Sequence, residues 1–396
     1  MANDRMNLDA CFKCSFCNAV CPLLRVRPDY PGPKKLGSDI ERFRREGIHC
    51  ELEWADYCLG CGQCALICPN QVQVAESIAE ARTHQKKNGT KKLRDYLFAR
   101  PALLGKMNTF AAPVSNLALR AAKALLPLGG ITANRTLPPY TGRRLTGSSG
   151  TALQETIVLF PGCFIQYNDP GAGEAAVKVL AKAGYRVEIA RTACCGLPAG
   201  SDKAEMLRDA EHNVLALEDW VSRGCRIVTA CTSCGHTLKA KYAGLFAADA
   251  HLGKVAEKIA ASTYDLGELL ADLQQEGRFV LPAQAAARKL AYHAPCHQKA
   301  QGMGKPWLKL LRSIAGLQVS DIDCGCCGMS GTYGFKQEKY DISMAIGQAL
   351  FAAVEEYNPD QAVTECATCR LQIRHGTGYP ALHPVEIVAQ IMEGAE

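Results

Sequence analysis

Twenty-one cysteines in 396 residues constrain this chain more than any other feature. Their number is odd, and most fall in short C-x2-C runs or adjacent pairs before glycine. A disulfide framework uses lone, separated positions instead, so metal ligation is the expected role. The opening MANDRMNLDA is charged and has no apolar h-region. No secretory signal is therefore expected, and a reducing cytosol would keep the thiols free as ligands. No run of about 18 uncharged apolar residues occurs, which predicts no transmembrane helix.

The cysteines also divide the chain: nine lie in residues 1–81, none in 82–150 and twelve in 151–396. Cys11, Cys14, Cys17 and Cys21 are spaced C-x2-C-x2-C-x3-C-P, and Cys58, Cys61, Cys64 and Cys68 repeat that spacing. This is the bacterial ferredoxin run, in which three close thiolates hold one [4Fe–4S] cubane and the fourth ligates the other cluster. Crossed ligation predicts one cubane on Cys11, Cys14, Cys17 and Cys68 and a second on Cys58, Cys61, Cys64 and Cys21. Structural zinc is the competing reading, although it prefers two separated C-x2-C pairs. The charged stretch between the runs, including DIERFRREG, predicts a helical ferredoxin module over 1–81.

The cysteine-free segment 82–150 carries the positive excess. Between Arg82 and Arg144 stand 13 Lys or Arg and one acid, Asp95, in a chain of net charge +6. Nucleic acid is not the expected partner, because zinc-finger, RRM and basic-helix patterns are absent and aromatics are only 7%. From Phe110 to Leu128 a 3.6-residue period puts Val114, Leu117, Ala118, Ala121, Leu125 and Leu128 on one face, with Asn116, Arg120 and Lys123 opposite. A membrane-surface helix and a helix packed on the ferredoxin module both fit that stripe. The segment ends in TGRRLTGSSG, whose composition suits a flexible linker.

The remainder repeats itself. TIVLFPGC at Cys163, ACCG at Cys194 and Cys195, and ACTSC at Cys231 and Cys234 return as LAYHAPC at Cys296, GCCG at Cys326 and Cys327, and ECATC at Cys366 and Cys369. The offsets are 133, 132 and 135 residues, so this is an internal duplication, with halves expected at 151–270 and 271–396. Short β-rich runs alternate with helical stretches such as AEMLRDAEHNVLALEDW and DISMAIGQALFAAVEEY, which predicts parallel α/β units. Overall, an α+β multidomain chain is expected: a helical ferredoxin module followed by a duplicated α/β module. All ten cysteines of the repeats should lie beyond the carboxyl ends of the strands. Adjacent cysteines chelate one ion poorly but can serve different irons of a cluster. Clusters in the repeats are thus the leading reading, with zinc in one repeat or a redox-active vicinal disulfide as alternatives.

These C-C-G repeats resemble the cysteine-rich CCG domain found in the B subunit of heterodisulfide reductase and in the iron–sulfur subunits of glycolate and lactate oxidases. YPGPK at Tyr30, NRTLPPY at Asn134, CCGMSGTYGFKQEKY from Cys326 and HPVEIVAQ near the end extend the resemblance over nearly the whole chain, to the C-subunit family of anaerobic glycerol-3-phosphate dehydrogenases. The resemblance implies an electron-transfer subunit. It would take electrons from flavoprotein dehydrogenase subunits oxidising sn-glycerol 3-phosphate and deliver them to a membrane quinone, at the cytoplasmic face of the inner membrane and peripheral to it. It also implies that each set of five cysteines can hold a noncubane [4Fe–4S] cluster, with one or both repeats loaded. The rival reading is a glycolate or lactate oxidase subunit, or a heterodisulfide-reductase-like enzyme whose noncubane centre is itself catalytic.

Other residues have weaker claims. Cys50 and Cys225 read as buried small hydrophobes, and Cys324 as a spare ligand. His293 and His297 flank Cys296 and suit a proton donor, a hydrogen bond to a cluster sulfur or a satisfied buried histidine. Lys336 fits a cation near an anionic cluster or a solvated side chain. No G-x-G-x-x-G precedes a helix in either α/β half, so no nucleotide-cofactor site is expected here.

Overall fold

The computed structural model describes residues 7–48, 50, 52–85, 89–148, 155–200 and 202–394. Up to residue 129 the described chain is helical, in short pieces: Pro22–Val26, Ile40–Arg45, Val74–Thr83, Gly89–Phe98, Pro101–Phe110 and Ala112–Ala121 are the main ones. The YPGPK motif turns the chain into a helical segment that opens at Gly32–Lys34. Gly32 stands at φ +83°, and the Asn18 side chain sits against it and accepts from the Lys34 N–H at 3.0 Å. That contact ties the motif to the first cysteine run.

The remainder contains two four-stranded sheets. The first comprises β1 (Thr156–Phe160), β2 (Arg186–Ile189), β3 (Arg226–Thr229) and β4 (Thr263–Asp265) in the order β2-β1-β3-β4. The second comprises β5 (Gln284–Tyr292), β6 (Ala315–Asp321), β7 (Gln361–Val363) and β8 (Ala381–Leu382) in the order β6-β5-β7-β8. Every pairing is parallel. The two orders coincide position by position, so the sequence duplication is a duplication of topology.

Alternation along the strands decides which side each sheet presents to what. Ile157 and Leu159 of β1, Val228 of β3, Leu290 and Tyr292 of β5 and Val363 of β7 all enter one shared core. The helices Gly171–Lys182, Leu266–Gln275, Pro306–Arg312 and Pro384–Gly394 fill that core between the sheets. Val158, Phe160 and Ile227 face outward under Lys203–Ser222 and Ala250–Ser262, and Ala291 and Ala362 under Tyr340–Tyr357 and Ala367–Thr377. The halves thus share a middle layer instead of folding as separate beads.

Two expectations about the middle segment need correction. The stripe from Phe110 to Leu128 is not one helix. The chain breaks at Ala111, restarts with Pro113 in the first turn, and continues from Ala122 as a 3-10 helix to Gly129. TGRRLTGSSG is also not a free linker where it is described. The Ser148 N–H donates to the Val187 carbonyl at 3.0 Å and Ser148 Oγ accepts from the Val187 N–H at 2.9 Å. A Cβ on Gly147 would lie 2.2 Å from that carbonyl, so the segment runs tightly along the otherwise open edge of β2.

Candidate metal centres

The cysteines of both repeats follow the carboxyl ends of their strands: Cys163 after β1, Cys194 and Cys195 after β2, Cys231 and Cys234 after β3, and their counterparts after β5, β6 and β7. In each sheet the strand order turns between the two central strands, so the loops carrying Cys163 and Cys231, or Cys296 and Cys366, flank the crevice where parallel sheets bind ligands. In the first repeat Cys163 and Cys194 Sγ are 3.6 Å apart. In the second, Cys296 and Cys326 are 3.7 Å apart and Cys327 and Cys369 are 3.2 Å apart.

Hydrogen bonds among the thiols shift their acidities. Cys195 is held well below the ordinary thiol range by Cys194 and then Cys234. Cys327 is drawn down to about 6 by Cys326 and then Cys369. Cys366 is held well below its ordinary value by Cys231 first and Cys369 second, and this Cys231–Cys366 contact joins the two repeats. Ten thiols therefore form one continuous array with three sites that favour thiolate.

The ferredoxin cysteines sort into two groups. Cys11, Cys14, Cys17 and Cys68 line one small cavity, with Cys14 exposed and Phe12 and Phe16 exposed beside it. Burial pushes Cys21 up, with Cys58 adding to it; burial likewise raises Cys64, with Cys58 and Cys21 as its nearest charged neighbours. Cys61, raised by burial, has Cys296 as its strongest thiol neighbour. The first group is at the surface, and the second faces the second repeat.

A cavity of about 1380 Å³ connects that second group to both repeats. Its wall includes Cys58, Cys61, Cys163, Cys231, Cys296 and Cys366. His297 pins the junction: its Nε2 donates to the Gly60 carbonyl at 3.2 Å, leaving Nδ1 to accept from Ser233 Oγ at 2.8 Å. His236 stacks on the His297 ring with centroids 5.0 Å apart. One imidazole thus connects three cysteine loops. Ser233 and His236 were missed in the sequence, although TSCGH stands where the second repeat has ATCRL.

These residues fit iron–sulfur clusters. The donors are grouped thiols held close together, and a Cβ on Gly162, at φ +67°, would lie 2.8 Å from Cys234 Sγ, so bare backbone cradles that sulfur. The C-C-G glycine answers a different need in the second repeat. Gly328 stands at φ +85°, and a Cβ there would lie 2.2 Å from the Ser343 carbonyl of the neighbouring helix.

The weaker candidates resolve individually. Cys50 and Cys225 are half-buried rather than buried and stand apart from the thiol groups; Cys50 Sγ points to the Ile48 carbonyl at 3.4 Å. Cys324 is raised by burial, with Asp323 and Lys299 as its charged neighbours, and it does not join the thiol array. Lys336 is not a solvated side chain: its Nζ lies 2.9 Å from Asp95 of the middle segment, and it lines the cavity that Cys58 and Cys61 also line. Lys339, unremarked in the sequence, is buried against Asp56 beside the second ferredoxin run, and burial pulls it down to about 7. His293 is buried without a side-chain hydrogen-bond partner, and burial pulls it down to about 4 against the opposing effect of the Ile322 backbone.

Known proteins share this organisation. Residues 7–72 match the 4Fe-4S dicluster domain family, and residues 157–239 and 290–374 each match the CCG cysteine-rich domain family. The chain is 26% identical to the B subunit of the fumarate reductase (CoM/CoB) of Methanothermobacter marburgensis, over 97% of this chain and 71% of that one. It is 26% identical to the glycolate oxidase iron-sulfur subunit of Escherichia coli, over 98% of this chain and 94% of that one. With the C subunit of the anaerobic glycerol-3-phosphate dehydrogenase of Escherichia coli the identity is 34%, over 98% of this chain and 99% of that one. The dicluster domain, the duplicated cysteine-rich domain and this full-length similarity place the chain in the C-subunit family of anaerobic glycerol-3-phosphate dehydrogenases.

Proposed function

We propose that this chain is the iron–sulfur electron-transfer subunit of a quinone-linked glycerol-3-phosphate dehydrogenase, accepting electrons from a flavoprotein partner and passing them to a membrane quinone. The observation that carries the reading is the serial order of the thiol groups from a surface site to an exposed apolar face. Bound clusters supply one-electron carriers along such a series.

In this reading Cys11, Cys14, Cys17 and Cys68 hold one cubane, and Cys58, Cys61, Cys64 and Cys21 hold the other. Cys163, Cys194, Cys195, Cys231 and Cys234 serve the first repeat, and Cys296, Cys326, Cys327, Cys366 and Cys369 the second. Exposed Cys14, between exposed Phe12 and Phe16, gives a flavoprotein partner an apolar landing next to the first group. His297 holds the second group against the second repeat, and the Cys231–Cys366 contact leads on to the first.

The far end meets the middle segment. Helix Pro101–Phe110 packs on helix Gly162–Tyr167, which carries Cys163, closely enough that a Cβ on Gly105 would lie 2.2 Å from the Tyr167 ring. The stripe beyond it faces outward: Phe110 is 97% exposed, Val114 70%, Leu117 68%, Leu125 63% and Leu128 76%. Asn116 turns inward and bonds the Tyr140 backbone in both directions at 2.8 Å. A helix packed on the ferredoxin module would hide the apolar face, so the stripe supports peripheral docking on a bilayer. Among the described residues no helix is long and apolar enough to cross a membrane.

The test reconstitutes the anaerobically purified chain with a flavin-dependent glycerol-3-phosphate dehydrogenase on quinone-containing vesicles. Quinone reduction by sn-glycerol 3-phosphate should require this chain. Equal reduction without it, or none with all components present, would reject the proposal. The large cavity between the repeats favours one second reading, disulfide cleavage at the paired repeats, and reduction of disulfides by the isolated pre-reduced chain would select it.

A further inference from the structure

His293 has a counterpart in the first repeat. The same 133-residue offset that relates Cys296 to Cys163 relates His293 to Phe160. Phe160 packs in the apolar cluster that contains Cys194, Cys195 and Cys234, so an aromatic ring without polar atoms satisfies packing at this place in the fold. The second repeat instead buries an imidazole there. His293 is 1% exposed, and neither Nδ1 nor Nε2 makes a well-formed hydrogen bond to a side chain, the Ile322 carbonyl being the one backbone group that acts on the ring. Burying a polar ring without full pairing is a cost that phenylalanine would avoid.

The ring has one visible target. A nitrogen of His293 and the sulfurs of Cys327 and Cys369 lie within 4.8 Å of one another, in a group whose three members are all buried. Since no hydrogen bond joins the ring to either thiol, direct side-chain pairing does not explain the placement. A sulfur bond of about 2.3 Å and a nitrogen bond of about 2.0 Å to one tetrahedral ion bring the donors to roughly 3.5 Å. The two sulfurs, 3.2 Å apart, already meet that spacing, so binding asks the nitrogen to close by roughly 1.3 Å at most. The Ile322 carbonyl acts on the ring in favour of a proton, and a metal-bound imidazole commonly directs its other N–H to a backbone carbonyl.

We infer that His293 is a nitrogen ligand to the metal held by Cys327 and Cys369, so that the second repeat is a mixed thiolate–imidazole centre and the first, with Phe160 in the equivalent place, is thiolate only. The inference rests on the reading that the second repeat binds metal. Its chemistry serves an iron of a cluster or a zinc ion alike. A neutral nitrogen donor among the thiolates makes the two centres electronically unequal despite their shared topology.

The test uses the full-length chain, purified anaerobically with natural and with ¹⁵N-labelled histidine. With iron in the second repeat, electron–nuclear double resonance of its paramagnetic state should show a strong nitrogen coupling that converts from the ¹⁴N to the ¹⁵N pattern. With zinc there, X-ray absorption should show a nitrogen shell at about 2.0 Å. His293→Phe should abolish either signature, while His236→Phe keeps it and both variants retain the ferredoxin-module spectra. The labelled unsubstituted protein decides the question even if His293→Phe fails to fold. Metal in the second repeat without a histidine nitrogen, or with a coupling that survives His293→Phe, overturns the inference alone. A second repeat without metal in the unsubstituted protein overturns it together with the reading on which it rests.

Discussion

The outward stripe of the middle segment yields a prediction whose size follows from exposure. Leu117 and Leu125 keep about two thirds of their surface in water, at 68% and 63%. Full burial of a leucine side chain is worth about 2 kcal/mol, so transfer of what remains exposed to an acyl boundary is worth roughly 1.3 kcal/mol each. Leu117→Gln with Leu125→Gln should therefore weaken vesicle binding by about 2.5 kcal/mol, or roughly 70-fold. Exposed positions contribute little to folding, so the melting temperature should stay within the change expected for about 0.5 kcal/mol. The charge arm is Lys106, Arg120 and Lys123, all exposed, changed together to Gln. Each cation near an anionic leaflet contributes roughly 1 kcal/mol and is screened by salt. Cosedimentation with anionic vesicles should show the leucine variant impaired at low and high salt, and the charge variant impaired only at low salt. Arg100 is excluded from that set because it is buried between Asp202 and Glu205, at 3.2 and 2.8 Å, and its loss would damage the fold. If the leucine variant binds like the unsubstituted protein at both salt concentrations, the stripe is not a membrane face and this reasoning fails.

Two further outcomes follow from the geometry. Cys195→Ser and Cys327→Ser should each lower iron by the content of one repeat and leave the cubane electron-paramagnetic-resonance signals intact, whereas Cys50→Ser, Cys225→Ser and Cys324→Ser should keep all iron; the full complement is about 16 Fe per chain, or about 12 Fe with one Zn. Asp265 is buried at the end of β4, where burial raises its pKa from 3.8 to about 7 although it accepts from the Gly267 N–H. A carboxyl whose folded pKa lies above its unfolded one binds more protons when folded, so its contribution is present below about pH 4 and lost as pH rises to about 7. Asp265→Asn, a neutral residue that still caps a helix, should flatten the fall in anaerobic melting temperature between pH 5 and 8, and an unchanged slope would show that Asp265 ionises normally.

The sequence exposed the parts of this molecule that local chemistry specifies. Each cysteine group of the repeats follows a run that becomes a strand, and the near-constant offsets of 132 to 135 residues anticipated two sheets of identical order. The shared middle core was hidden because β1 is buried on both sides: TIVLF reads as a continuous apolar run, which reveals burial but not which neighbour covers each face. The helix expected from Phe110 to Leu128 failed because periodicity was read across Pro113 and Pro127. The first is tolerated only in an opening turn, and the second lies within the 3-10 helix. The composition of TGRRLTGSSG suggested freedom, but a Gly and a Ser are also what a chain needs to lie against a strand edge, one for close approach and one to imitate a backbone acceptor.

Charge was the least legible property, because the partners are remote in sequence. Arg94 is buried on Glu338 at 2.8 Å, Arg100 on Glu205, and Arg135 on Gln372 at 2.6 Å, so three of the 13 cations of the middle segment are internal struts. Arg82 is committed to the Ala55 and Cys58 carbonyls, and Arg143 to Glu174. Lys86 and Lys87 lie outside the described residues. Among the described residues the exposed cations without such commitments are Lys91, Lys92, Lys106, Arg120, Lys123 and Arg144, six of eleven. Electrostatic attraction to a leaflet is reduced in proportion, and it weakens further at physiological salt, where the screening length is about 8 Å. The apolar stripe must then provide the larger share of any docking energy. For that reason the leucine pair, not the basic cluster, is the substitution that decides whether this face meets a membrane.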